Sequence, residues 1–303
     1  MPKIDVEGPV SVLPASDTGR RRAGRPDTVS PILIPLLRNP VPDAGQSRDL
    51  ALPQRSHGCQ ACRSPEPIFP FTMAFQPVVD LQESRIDAHE ALVRGLAGEG
   101  AGQVLAQVNA DNVYKFDQAC RIKAIELAAR LGMKRQLNIN FLPNAVYEPR
   151  ACIRATLDAA ARTGFDPKCL TFEIVETEII ANTPHLLNII AEYRRQGFKI
   201  ALDDFGTGYS GLTRLAEVRP DIVKLDRALV KDCDKDRTRL AIVASMIALG
   251  TQIGVKVIAE GMERRGEVDA LRSVGVRFMQ GFYFAKPVFQ GLCTEETLFP
   301  TEV

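Results

Sequence analysis

Glu90, Glu173, Asp203, Asp204 and Glu260 each fall at or near the C-terminal end of a short apolar run, and so do Lys224, Asn140 and Gln280. The five acids carry five negative charges. Carboxylates that converge in a partly dry cavity repel one another, and burial penalises each of them. Two divalent cations together with Lys224 would supply five positive charges and balance the set. A donor set of oxygens, with neither His nor Cys, suits hard ions such as Mg²⁺ or Mn²⁺ over zinc. Asn140 adds an oxygen without adding charge. Two such ions, about 3.5–4 Å apart, clamp the attacking and leaving oxygens of a phosphoester displacement. Taken singly, each residue has a plainer reading. A lone acid is a helix cap or a surface group, Asp203 and Asp204 could cap a helix near Ser210, and Lys224 could be an exposed lysine. Repetition along successive runs favours the common site.

The runs that must position these groups alternate with helical stretches. Strand patterns occur at Ala74 to Asp80, Ile86 to Val93, Gln136 to Phe141, Cys169 to Glu176, Phe198 to Asp204, Asp221 to Asp226, Val255 to Glu260 and Val276 to Gln280. Helical patterns occur at Asp111 to Leu131, Ala151 to Ala161, His185 to Gln196, Arg237 to Ile253 and Glu267 to Val274. Strands alternating with helices predict a largely parallel sheet with helical crossovers. Roughly eight strands in about 225 residues fit an α/β TIM-type barrel, whose sites lie at the C-terminal ends of the strands. A doubly wound open sheet is the architectural alternative. Neighbouring residues of a regular strand face opposite ways, so Asp203 and Asp204 need a bend, for which Gly206 and Gly208 are available.

The first 70 residues differ in texture: they hold 12 of the 20 prolines, lack sustained periodicity and cannot bury enough apolar surface to offset chain entropy. Residues 1–70 therefore read as a disordered Pro-rich arm and linker, 71–295 as the catalytic domain and 296–303 as a tail. The net charge of +1 argues against binding to polymeric nucleic acid, though a small nucleotide needs only local charge. No apolar run of about 18 residues predicts a membrane span. Seven Cys, mostly scattered singly, suggest reduced thiols and a cytoplasmic location. His57-Gly-Cys59-Gln-Ala-Cys62 is the exception, either solvated linker thiols or a sensor or zinc cluster. Metal analysis and the activity of Cys59→Ser/Cys62→Ser distinguish the two.

The ordered motifs resemble the EAL family of cyclic di-GMP phosphodiesterases. They are Phe75-Gln-Pro-Val-Val-Asp80, Glu90-Ala-Leu-Val-Arg-Gly95, Asp203-Asp-Phe-Gly-Thr-Gly-Tyr-Ser210, Val223-Lys-Leu-Asp-Arg227, Ala259-Glu-Gly-Met-Glu263 and Met279-Gln-Gly-Phe-Tyr-Phe-Ala-Lys-Pro287. The resemblance covers about 72 to 290. It implies a modified TIM (β/α)8 barrel whose first strand runs antiparallel to the rest, and hydrolysis of cyclic di-GMP to linear pGpG with two Mg²⁺ or Mn²⁺ ions. By the same resemblance Glu90, Asn140, Glu173 and Asp203 hold one ion, Asp203 bridges to the second, and Asp204 and Glu260 complete it. Lys224 then orients or activates the attacking water, Glu263 braces the loop after Asp204, and Gln280 lies near metals and substrate. Gln76, Leu92 and Arg94 fall at substrate-contact positions, Arg94 suited to phosphate. A homodimer is implied as well. The chain departs from the family pattern at Phe75, at Phe141-Leu-Pro143 and at Val175, none of them a proposed ligand. The alternatives are a catalytically weak cyclic di-GMP receptor or protein-interaction module, and an unrelated metal-dependent barrel hydrolase.

Overall fold

The computed structural model of the protein describes residues 69–176, 182–208 and 210–299. The Pro-rich arm and the His57, Cys59 and Cys62 cluster lie outside the described residues.

Two long strands open the domain, β1 (Thr72–Asp80) and β2 (Arg85–Arg94), followed by α1 (Ala101–Leu105) and α2 (Val113–Arg130). Next come β3 (Gln136–Asn140), α3 (Pro149–Cys152), α4 (Arg154–Thr163), β4 (Leu170–Val175) and α5 (Thr183–Arg195). The chain continues through β5 (Lys199–Phe205), α6 (Gly211–Val218), β6 (Ile222–Leu225), α7 (Arg227–Val230), α8 (Arg237–Ile253), β7 (Lys256–Glu260) and α9 (Arg265–Ser273). It ends with β8 (Phe278–Gln280), β9 (Val288–Phe289) and α10 (Glu295–Leu298).

Strands β2 to β8 pair in parallel in sequence order, and β1 pairs antiparallel with both β2 and β8. The sheet thus closes into an eight-stranded barrel, with β9 added on β1. Closure rules out the open sheet, and the reversed β1 is the feature the resemblance implied.

Alternation along each strand separates two apolar regions. Leu137 and Ile139 on β3, Phe172 and Ile174 on β4, and Ile200 and Leu202 on β5 belong to the large core that includes Ile125, Ile189 and Tyr193 of α2 and α5. The opposite parity, Val78, Ala88, Ala201, Ile222 and Ile258 with Phe278 against them, forms a separate small cluster. It draws on six strands and fills the inside of the barrel.

Helix boundaries follow local chemistry. Asp236 accepts from the Thr238 and Arg239 amides at the start of α8, and Gly254 ends it with φ +72°, so α8 matches the helix read from sequence. The helix expected at Ala151 to Ala161 is instead two, α3 and α4, divided at Ile153. Helix α10 was not anticipated. It begins at the expected domain limit, and Glu295 ties it to the barrel by accepting from the Ile86 amide and the Arg135 guanidinium, each at 3.1 Å.

Candidate metal centre

Eight side chains stand two residues beyond the barrel-floor positions, toward the end of the barrel where the parallel strands finish. On β2 Glu90 follows Ala88, on β5 Asp203 follows Ala201, on β6 Lys224 follows Ile222, on β7 Glu260 follows Ile258 and on β8 Gln280 follows Phe278. Asn140 and Glu173 occupy the same level on β3 and β4, paired in register. On the reversed β1 the corresponding residue is Gln76, directly opposite Glu90. The strand period of two therefore turns a scattered set of polar residues into one ring.

Lys224 sits in the middle of the acids and is fully buried. Its Nζ lies 3.1 Å from Glu90, 3.0 Å from both carboxylate oxygens of Glu173, 3.1 Å from Asp203 and 2.9 Å from Glu260. Burial alone would lower the Lys224 pKa, but the surrounding carboxylates push it well above the usual lysine value. Lys224 is therefore an ammonium donor in this arrangement. Burial pushes Glu173, Asp203 and Glu260 above the usual carboxylate range, with neighbouring acids adding to the effect. Asp204 is pushed up to about 8 by burial and by the Asp203 charge. Glu90 differs. Burial works against its ionisation, yet Lys224 and hydrogen bonds from Gln280 and Asn140 hold its carboxyl below the usual range.

Oxygens of Glu90, Glu173 and Asp203 lie within 4.8 Å of one another, and so do oxygens of Asp203, Asp204 and Glu260. Two trios sharing Asp203 could hold a pair of hard cations. Surplus negative charge and raised carboxylate pKa values fit such ions as well. Asn140 is beside the first trio, donating to Glu90 at 3.0 Å. A third acidic group, Asp232, Asp234 and Glu267, already has cationic partners, because Arg264 pairs with all three and Lys235 with Asp232.

The conflict between Asp203 and Asp204 is resolved by a bulge. Between Leu202 and Phe205 the pairing with β6 skips a step, and Asp204 takes φ +55°. The left-handed residue rotates Asp204 onto the side of Asp203. The bend lies at Asp204 itself, two residues before the first of the glycines proposed for it. Gly206 has its own constraint: φ is +103°, and a Cβ there would stand 2.5 Å from Leu229 Cδ1.

The loop after Asp204 is held differently from expectation. Among the described residues the carboxylate bound to it is Glu176, whose Oε2 accepts from the Gly206 amide at 2.6 Å. Glu263, assigned that role by resemblance, pairs instead with Arg227 at 3.0 Å. Glu176 directly follows β4 and its amide bonds to Asp203 O, so it lies beside the turn out of β5. The signal was the spacing Glu173-x-x-Glu176, which carries the second acid off the strand end.

The substrate-position residues line the same end. Gln76 donates to Ala285 O at 3.1 Å, and Gln280 Nε2 donates to Glu90 at 2.7 Å. Gln280 Oε1 is buried and has no hydrogen-bond partner among the described residues. Leu92 and Arg94 continue β2 beyond Glu90, both half-buried. Arg94 donates to Val93 O at 2.7 Å.

The structure is therefore a closed α/β barrel with one reversed strand and a carboxylate-lysine cluster at its rim. The EAL domain family matches residues 70–287, and the chain belongs to that family. It is 30% identical over 234 residues to the probable cyclic di-GMP phosphodiesterase PdeG of Escherichia coli, covering 73% of this chain and 45% of PdeG. The chain thus spans about half the length of that relative. Among solved structures, a standalone EAL protein from Vibrio cholerae in its cyclic di-GMP-bound form superposes with TM-score 0.73 at 46% identity, covering 76% of this chain and 97% of that one. BlrP1 of Klebsiella pneumoniae, in a complex with manganese and cyclic di-GMP, gives TM-score 0.71 at 35% identity, covering 76% and 59%. Among the described residues no helix is long and apolar enough to cross a membrane.

Proposed function

We propose that this domain hydrolyses one phosphodiester of cyclic di-GMP to linear pGpG, using two divalent cations. The observation that carries the reading is the pair of carboxylate trios sharing Asp203, with Lys224 in contact with four of the five acids. Glu90, Glu173 and Asp203, with Asn140 beside them, would hold one ion. Asp203, Asp204 and Glu260 would hold the other. Bound there, Mg²⁺ or Mn²⁺ would polarise the phosphodiester and lower the pKa of the attacking water.

The chain's own residues do the rest. Lys224, a donor fixed on β6, orients an oxygen brought between the acids and offsets charge that develops on phosphate. Gln280 keeps Glu90 turned inward through their hydrogen bond. The bulge at Asp204 presents its carboxylate next to that of Asp203, which a regular strand would prevent. Arg94, at the end of β2, suits charge-assisted contact with a substrate phosphate. Two chains would assemble as a dimer.

The test is chromatographic: purified protein with cyclic di-GMP and Mg²⁺ or Mn²⁺ yields pGpG, and chelation stops the reaction. Tight cyclic di-GMP binding without pGpG would make the domain a receptor instead.

A further inference from the structure

Beneath the ring of site residues lies one layer of inward side chains, and its composition is uneven. Six of the eight strands contribute Val78, Ala88, Ala201, Ile222, Ile258 and Phe278. The other two contribute Asn138 on β3 and Thr171 on β4, paired in register and each fully buried. An apolar floor would satisfy the packing of a barrel interior. A buried amide requires a partner for each of its polar groups or lowers stability.

Asn138 meets only half of that requirement. Its Nδ2 donates to Glu173 Oε1 at 2.9 Å, while its Oδ1 has no hydrogen-bond partner among the described residues. Thr171 Oγ1, its neighbour across the ladder, likewise has no partner among the described residues. The amide cannot turn over to improve matters, because its oxygen would then face a carboxylate. The orientation seen is the one that serves Glu173, at the expense of Asn138 itself.

Glu173 is the most enclosed acid of the ring, with no exposed surface. Lys224 approaches both of its oxygens, so it leaves the twist of the carboxylate about its stem unfixed. A donor from below, on Oε1 alone, makes the two oxygens inequivalent and leaves Oε2 as the one not engaged by the amide. Partners behind a ligand act in this way, and their removal typically weakens metal binding about 10- to 100-fold.

We propose that Asn138 is a positioning residue for metal binding: its amide orients the Glu173 carboxylate from the barrel floor. The proposal rests on the reading of Glu173 as a metal ligand. Thr171 belongs to the same polar step but touches no ligand, so it provides the comparison.

The experiment is Mn²⁺ titration of the purified full chain, by calorimetry and by electron paramagnetic resonance, alongside thermal unfolding in chelator. Asn138→Leu removes the donor and keeps the branched shape of the side chain. Asn138→Ser keeps the site polar with a hydroxyl too short to replace the amide. Thr171→Val removes the unpartnered hydroxyl without touching Glu173. Both Asn138 variants are expected to bind Mn²⁺ about 10- to 100-fold more weakly. Thr171→Val is expected to bind it as the wild type does, and Asn138→Leu to unfold in chelator no earlier than the wild type. Wild-type Mn²⁺ affinity in Asn138→Ser, or equal weakening in Thr171→Val, would overturn the proposal. Failure of the wild type itself to bind Mn²⁺ would overturn the metal reading and this inference together, and is distinguishable for that reason.

Discussion

Lys224→Met replaces the one cation among the acids by an apolar side chain of similar length. Its Nζ is within 3.1 Å of Glu90, Glu173, Asp203 and Glu260. All of these contacts are lost together, and the carboxylates remain in a space where the lysine side chain is 1% exposed. Removing one partner of a buried ion pair costs about 3–5 kcal/mol. For a domain of this size each kcal/mol moves Tm by about 2–4 °C, so Tm in chelator should fall by about 6–20 °C. Bound cations supply positive charge to the same carboxylates, so saturating Mn²⁺ should close most of the gap between variant and wild type. Scanning calorimetry with chelator and with Mn²⁺ provides both comparisons, and a Mn²⁺ titration should still show two ions bound. Turnover of cyclic di-GMP should nonetheless fall strongly, because the donor between the acids is gone. Unchanged Tm in chelator, or a deficit that Mn²⁺ does not reduce, would refute the account of Lys224 as the counter-charge of an empty-handed acid cluster. Loss of Mn²⁺ binding would make the lysine part of the scaffold instead.

Glu90→Ala removes the acceptor shared by Lys224, Gln280 and Asn140, and should abolish pGpG formation and weaken Mn²⁺ binding; wild-type turnover would discard the ligand assignment. Away from the site, Arg121 is buried, pairs with Asp117 and donates to Tyr193 Oη at 3.1 Å. Arg121→Ala strands the Asp117 carboxylate, so urea unfolding should show a loss of about 3–5 kcal/mol; a loss under about 1 kcal/mol would mean that Asp117 finds another partner. At the opposite end of the barrel, Arg277 holds the Asp80 carboxyl below its usual range by a hydrogen-bonded ion pair. A folded pKa below the unfolded one means stability present above about pH 4 and lost as pH falls through the folded value. Arg277→Met should flatten that part of the pH–stability curve, and an unchanged acid limb would show that the pair contributes nothing to it.

Much of this architecture was legible because the signals were periodic. Leu137 and Ile139 point one way and Asn138 and Asn140 the other, and that alternation, repeated on successive strands, marks a barrel with a polar end. Helix α8 was legible to the residue because Asp236 and Gly254 are chemical stop signs. Features set by contact across the fold were not. The two residues of β9 have no pattern of their own and exist by pairing with Ala74 and Phe75. The break at Ile153 lies within a stretch that is helical on both sides. The bend at Asp204 fell on a residue with a Cβ, although glycines stood nearby, because the bulge arises where β5 and β6 lose register. Glu176 and Glu263 are both acids shortly beyond a site acid, and only their placement in space separates the loop anchor from the partner of Arg227.

The reversal of β1 has a consequence for how the domain is wired. In a barrel of uniformly parallel strands the first strand starts at the floor, far from the chemistry. Here Thr72, where β1 starts, pairs with Arg94, where β2 ends. The chain therefore enters through the rim, next to the acids. A segment joined ahead of Phe69 therefore starts at the mouth of the barrel and not at its floor.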